Sequence, residues 1–353
     1  MDEIDFLIIG QGLAGTCLAW ELLDRGARVH VVDRGDAMTA SKISAGLLNP
    51  IIGRNYNLSW RYRESFAAAA GFYQAREQQL GTRFFRETPL VRLFRNPQER
   101  ETFERKRDSG LYDGLLSDPQ PDPLVGAGVR NEHGGFEIAR CAVVDTAAFL
   151  AASRRHFKHL GCFTKAECRS DEIDPRLGGV HWRNITAASV VMCLGWHGRD
   201  CPCFSWVPFR PAKGEILGIR IDGLDETRIL NHGNWLFPSG TGTWRTGTTY
   251  SWEPLDCEAT APAREVIEQR LTKLLPGATW SVEDHHAAVR PIIHGRKPLL
   301  GRHPHHPRLA IFNGLGSKGA LHAPWCARHL AANLLDGTPI DPAIHLTTRF
   351  PPE

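Results

Sequence analysis

The feature that most restricts this chain sits at its start. Ile4 to Ile9 runs apolar into Gly10-Gln-Gly12-Leu-Ala-Gly15 and then, without a spacer, into the helical pattern Thr-Cys-Leu-Ala-Trp-Glu-Leu-Leu. A strand that stops at a glycine and turns straight into a helix is the setting in which G-x-G-x-x-G carries information. Gly10 suits the tight turn, Gly12 lets the backbone approach a pyrophosphate, and Gly15 allows helix and strand to pack closely. The helix N-terminus then offers free N–H groups and a positive dipole end to an anion. A second strand, Arg28 to Val32, leads into Asp33, 18 residues after Gly15. That is close to the ~20 expected of a carboxylate that grips a ribose hydroxyl. These four features together specify a dinucleotide site on an α/β fold and leave NAD and FAD both open.

With 353 residues, 42% of them hydrophobic, the chain can build two domains or one large domain with insertions. A net charge of +3 neither demands nor excludes an acidic partner such as RNA. The N-terminus runs straight into the first strand, so no signal peptide is expected, and the nine cysteines are scattered and odd in number. They read as reduced thiols of a cytoplasmic protein. No metal site is expected: Cys201-Pro-Cys203 has no partner pair at zinc spacing, and Pro304 and Pro307 break up His303, His305 and His306 in what reads as a solvated turn. No apolar run approaches the ~20 residues of a membrane span.

Further along, Ala40-Ser41-Lys42-Ile43-Ser44-Ala45-Gly46-Leu47-Leu48-Asn49-Pro50 is either a connecting loop or one that sets its backbone against a flat ring or a phosphate. Trp60 to Leu80 has helical spacing and ends at Gly81; Arg92 to Arg107 mixes charges like a solvated helix face; Asp118 to Pro123 reads as an exposed loop. Asp145 is placed to cap a helix over Ala147 to Leu160. Ala188 to Leu194 reads as a buried strand that returns to the first sheet and ends at Gly195. Between Val207 and Tyr250, short β-branched and aromatic segments separated by turn residues indicate an antiparallel sheet. A helix over Ala263 to Leu275 follows, with Ile267, Leu271 and Leu274 on one face. A last strand, Arg308 to Asn313, runs into Gly314-Leu-Gly316-Ser317-Lys318-Gly319, after which Pro324 is expected to begin a helix that Gly337 ends.

These motifs, in this order, resemble the FAD-dependent D-amino acid oxidase family, which includes glycine oxidase, sarcosine oxidase and the oxidase half of a bifunctional tRNA-modifying enzyme. Gly10, Gly12, Leu13, Ala14 and Gly15 with Asp33 and Arg34 match its FAD fingerprint, Asp33 standing where many members carry Glu. Ser41, Ala45, Gly46 and Leu47 match the second flavin loop, Gly195 the end of the strand under the adenine half, and Lys213-Gly-Glu-Ile-Leu the crossing strand. Arg290-Pro291 and the turn with Gly314, Gly316, Ser317, Lys318 and Gly319 match the closing flavin motifs. The continuation Asn49-Pro50-Ile-Ile-Gly53-Arg54 departs from the commonest glycine and sarcosine oxidase form. The resemblance implies a Rossmann-like FAD-binding domain of residues 1–55, 140–205 and 296–353. An inserted α+β substrate domain, residues 56–139 and 206–295, would be built on the antiparallel sheet.

It also implies non-covalent FAD and oxidation of a substrate C–N bond by hydride transfer to flavin N5, with hydrolysis of the imine. Arg290 is the implied carboxylate clamp, Lys318 the cation near flavin N1, and Tyr250 a candidate substrate hydrogen-bond donor. A small amine or amino acid is the first substrate class. A carboxymethylated tRNA uridine is the second, though the modest charge argues weakly for RNA. A 2-hydroxy acid or glycerol phosphate, or a flavin-binding module without catalysis, completes the alternatives. The sequence leaves the oligomeric state open.

Overall fold

In the computed structural model, which describes residues 2–118, 124–173 and 179–351, the first strand spans Asp2–Ile9. Successive strand side chains point to opposite faces, and here the two faces feed different cores. Phe6 and Ile8 pack with helical residues, whereas Leu7 and Ile9 pack with Val190, Met192, Phe204 and Ile311. Burial on both faces is the setting of a central parallel strand. It pairs in parallel with Val29–Asp33 and with Ile185–Met192. Across the sheet the order is Phe163–Lys165, Val29–Asp33, Asp2–Ile9, Ile185–Met192, Leu309–Asn313 and Leu299–Arg302. The last pair is antiparallel, as is Val180–Trp182 against Ile185–Met192. The first and last glycine turns thus leave strands of one sheet, with the returning strand between them.

Leu13–Asp24, Tyr62–Leu80, Thr146–His159 and Gly319–Asp336 all contribute to the helical core on one face. Asp145 caps its helix as expected, Oδ1 accepting from Ala148 N at 2.9 Å. The last helix corrects the sequence reading: it begins at Gly319, and Pro324 lies inside it. Proline cannot donate to the carbonyl four residues back, here that of Ala320. The Tyr73 hydroxyl, from the helix Tyr62–Leu80, donates to that carbonyl at 3.0 Å. The tertiary partner lets the helix run through the proline.

The second sheet runs Trp280–Arg290, Ala212–Ile221, Thr243–Gly247, Trp235–Gly240, Ile229–Asn231, Leu90–Leu93 and Gly135–Ile138. It is antiparallel except where Ile229–Asn231 meets Leu90–Leu93. The helix Ala261–Leu274 lays Ile267, Leu271 and Leu274 against Leu217, Ile219 and Trp244. Two charged stretches depart from expectation. Arg92 lies in a strand, buried, and the helix starts only at Pro97, capped by Asn96 and with Glu99 and Phe103 buried. His303 is not solvated: it is buried beside Trp206, and its Nδ1 accepts from the backbone N–H groups of His305 and His306. Of the expected loop from Asp118 to Pro123, residues 119–123 lie outside the described residues. All nine cysteines are free. Among the described residues no helix is long and apolar enough to cross a membrane.

Candidate active site

The first glycine turn is fixed by close approach. A Cβ on Gly15 would sit 1.9 Å from the Gly10 carbonyl oxygen, so only glycine lets the helix Leu13–Asp24 lie this close to the strand end. Gly12 offers the helix no side-chain cap. Instead the Leu13 N–H donates to Ser41 Oγ at 3.0 Å, which ties the loop around Ser41 to the helix N-terminus.

At the end of Val29–Asp33 the Asp33 carboxylate is held from three sides. It accepts from Gln11 N and Gly35 N, each at 2.8 Å, and from Arg154 Nη2 at 2.7 Å. Arg154 also donates to Gln11 Oε1 at 2.5 Å, and Gln11 Nε2 to the Leu150 carbonyl at 3.0 Å. One Oδ2 lone pair stays available for a ribose hydroxyl. Sequence reasoning missed this support: Gln11 fills a wildcard position of the motif, and Arg154 comes from a helix far along the chain. Arg34 pairs with Asp36 at 2.7 Å.

Two cavities, of about 840 and 800 Å³, meet at Gly12, Ala40, Ser41, Cys193, Gly195 and Pro291. Gly10, Asp33 and Arg34 line the first. Leu13, Ala14, Ala45, Gly46 and Leu47 line the second, as do Gly316, Ser317, Lys318 and Gly319 with Tyr250 and Arg290. Of the residues expected at the site, Gly15 and Gly314 face neither cavity. Gly15 packs on Gly10, and Gly314 packs beside Ile293 and Lys297.

Arg290 ends the longest strand of the second sheet, paired with Ala212. Its guanidinium donates to the Lys213 carbonyl at 3.2 Å, to Thr248 Oγ1 at 2.7 Å and to the Thr249 carbonyl at 3.1 Å. It lies 4.0 Å from the centre of the Tyr250 ring, close enough for a cation–π contact. A Cβ on Gly214 would collide with the guanidinium at 1.8 Å, so the adjacent strand makes room for it. Burial pulls the Arg290 pKa below its usual value. Tyr250 itself is 49% exposed. Thr248 and Thr249, which hold Arg290, were not legible as site residues because their partner comes from another strand.

Lys318 Nζ donates to Ser59 Oγ at 3.0 Å, and burial lowers its pKa to about 8. Beside it His322 is buried with Nδ1 3.0 Å from Ser65 Oγ. Burial first, and then the charge of Lys318, lower the His322 pKa to about 3. At neutral pH the pair therefore carries one positive charge, on Lys318.

Residues 5–333 match the family described as FAD dependent oxidoreductase, DAO. A glycine oxidase from Pseudomonas aeruginosa is 27% identical, the alignment covering 96% of each chain. The bifunctional tRNA 5-methylaminomethyl-2-thiouridine biosynthesis protein of Marinobacter nauticus is 24% identical over 92% of this chain and 54% of its own length. The chain thus spans about half of that curated relative. Among solved structures, glycine oxidase from Geobacillus kaustophilus superposes with a TM-score of 0.80 at 20% identity, covering 96% of both chains.

Proposed function

Because this chain belongs to the DAO family of FAD-dependent oxidoreductases, we propose that it oxidises the C–N bond of an amino acid or N-substituted glycine. The observation that carries this reading is Arg290, a buried guanidinium that lines the same cavity as Lys318 and, among the described residues, has only neutral hydrogen-bond partners. Its charge is uncompensated by these partners, and its Nε hydrogen and second Nη1 hydrogen remain for an acceptor, so a guanidinium so placed suits the carboxylate of an amino-acid substrate.

The residues present fit FAD, the family's cofactor. The cavity at Asp33 would hold the adenosine end and the turn at Gly12 the pyrophosphate, where the helix N–H of Leu13 is bonded to a serine hydroxyl. The cavity bounded by Gly46, Leu47 and Gly316 to Lys318 would hold the ring end. When bound, FAD supplies the two-electron acceptor. This chain's own part is orientation and charge. Arg290 holds the substrate carboxylate, stiffened by Thr248, Thr249 and Tyr250, so that the α-carbon is presented in one pose. Lys318 holds its proton on Nζ in a buried setting, where a fixed positive charge acts more strongly than in water. The Tyr250 ring lies against the Arg290 guanidinium and steadies it by a cation–π contact.

The test is to mix the FAD-loaded protein anaerobically with glycine, sarcosine, D-amino acids, 2-hydroxy acids and modified tRNA. Bleaching of the flavin by an amine and not by a hydroxy acid is the expected result. Bleaching by a hydroxy acid or by tRNA alone refutes the amino-acid reading.

A further inference from the structure

Arg290 is not the only guanidinium attached to Thr248. Arg270, from the helix Ala261–Leu274, donates through Nη1 to the Thr248 carbonyl at 3.3 Å and to Asn234 Oδ1 at 3.2 Å. Arg290 takes the hydroxyl of the same residue at 2.7 Å. Two cations therefore flank one threonine, and among the described residues neither has a carboxylate partner. Arg270 commits Nη1 to these bonds, among the described residues no partner is recorded for Nε or Nη2, and the residue lines the cavity. The charge of the cavity is lopsided in the same sense. Arg54, Arg92, Arg270, Lys273, Arg290 and Lys318 line it. Its one lining carboxylate, Glu99, is already taken by Arg95 and the Tyr56 hydroxyl. Lys273 follows Arg270 by three residues, on the same helical face.

Like charges gathered in a half-buried site are unfavourable unless a counter-charge arrives. Arg290 alone accounts for one anionic group. Resting on the reading that the site oxidises an amino acid or N-substituted glycine, we propose that its substrate is a dicarboxylate: Arg290 holds one carboxylate, and Arg270 with Lys273 holds the other. The site then selects amines whose second arm ends in a carboxylate over glycine and sarcosine, which leave Arg270 without a partner.

The test titrates the FAD-loaded protein with acetate, malonate, succinate, glutarate and inorganic phosphate, followed by calorimetry and by the flavin absorption spectrum. A charge-assisted hydrogen bond is worth ~1.5–3 kcal/mol, so at least one dicarboxylate should bind about tenfold or more tightly than acetate. R270Q should reduce that ratio to below about threefold, and K273Q, at an exposed position, should lower it in the same direction. Flavin reduction should likewise require less iminodiacetate than sarcosine, with R270Q erasing the difference. Equal affinities for acetate and every dicarboxylate overturn the proposal, as does an R270Q variant, folded by circular dichroism, that keeps the preference. Phosphate binding more tightly than any dicarboxylate, or salt-steep displacement by unmodified tRNA, also overturns it. A dicarboxylate preference with no amine able to bleach the flavin would uphold the subsite and refute the C–N reading.

Discussion

Replacing Lys318 by methionine should stabilise the FAD-free protein while impairing the holoenzyme. Burial lowers the Lys318 pKa from the usual 10.5 to about 8. At ~1.4 kcal/mol per pH unit this is a cost of about 3 kcal/mol for holding the charge in the folded chain. Below pH 8 both folded and unfolded chains are protonated at this lysine and the cost is present in full. Between pH 8 and 10.5 the unfolded chain keeps a proton that the folded chain has released, so stability rises with pH. Above that window the cost is gone. K318M lacks the charge but also the charged bond to Ser59, worth ~1.5–3 kcal/mol. It should therefore be more stable than the natural protein by up to about 1.5 kcal/mol at pH 7, and its advantage should vanish by pH 10.5. Urea unfolding of the FAD-free forms at pH 7 and 10 measures this. In the holoenzyme, loss of a cation should make the flavin harder to reduce by roughly 30–60 mV, since 30 mV is about 1.4 kcal/mol for two electrons. A variant that is less stable at pH 7, or whose flavin potential is unchanged, refutes the argument.

Other positions give sharper structural tests. Y73F strands the Ala320 carbonyl that Pro324 cannot reach and should cost about 1–3 kcal/mol. In a P324A background the alanine N–H restores the helical bond, so the cost of Y73F should shrink, and a double-mutant cycle by urea unfolding with no coupling would contradict this reading. G15A drives a methyl into the Gly10 carbonyl and should abolish bound flavin absorbance. G12A meets only the Ser41 hydroxyl, at 2.9 Å, and should fold while binding FAD more weakly. D33N leaves one of its backbone donors or Arg154 without an acceptor, at about 1–3 kcal/mol, and should lower both the melting temperature and FAD affinity. An unchanged FAD dissociation constant would remove Asp33 from the site.

The strand-to-helix turn and its acid were legible because their information is local. A glycine turn, the helix after it and the acid one strand later are set by neighbours within some thirty residues. The contacts that support them were not: Arg154 reaches Asp33 from a distant helix, and the hydroxyl of Ser41, a residue expected at the site, accepts from the Leu13 N–H. The misread helix start at Pro324 has the same origin. Local rules place a proline in a first turn, and only the Tyr73 hydroxyl, from another helix, makes an interior proline tolerable.

By itself the sequence determined the α/β class, the glycine turn from strand to helix and the antiparallel second sheet, since each rests on periodicity or on glycine spacing along the chain; FAD followed from the resemblance of several motifs in order. Tertiary structure alone decided which charges share a cavity. Arg270 and Arg290 are twenty residues apart, on a helix and at the end of a strand, and nothing in their spacing relates them. Folding the second sheet brings both to Thr248 and, among the described residues, leaves them without a counter-ion. Whether a cation is paired depends on which elements meet, and pairing is therefore a property of the folded chain.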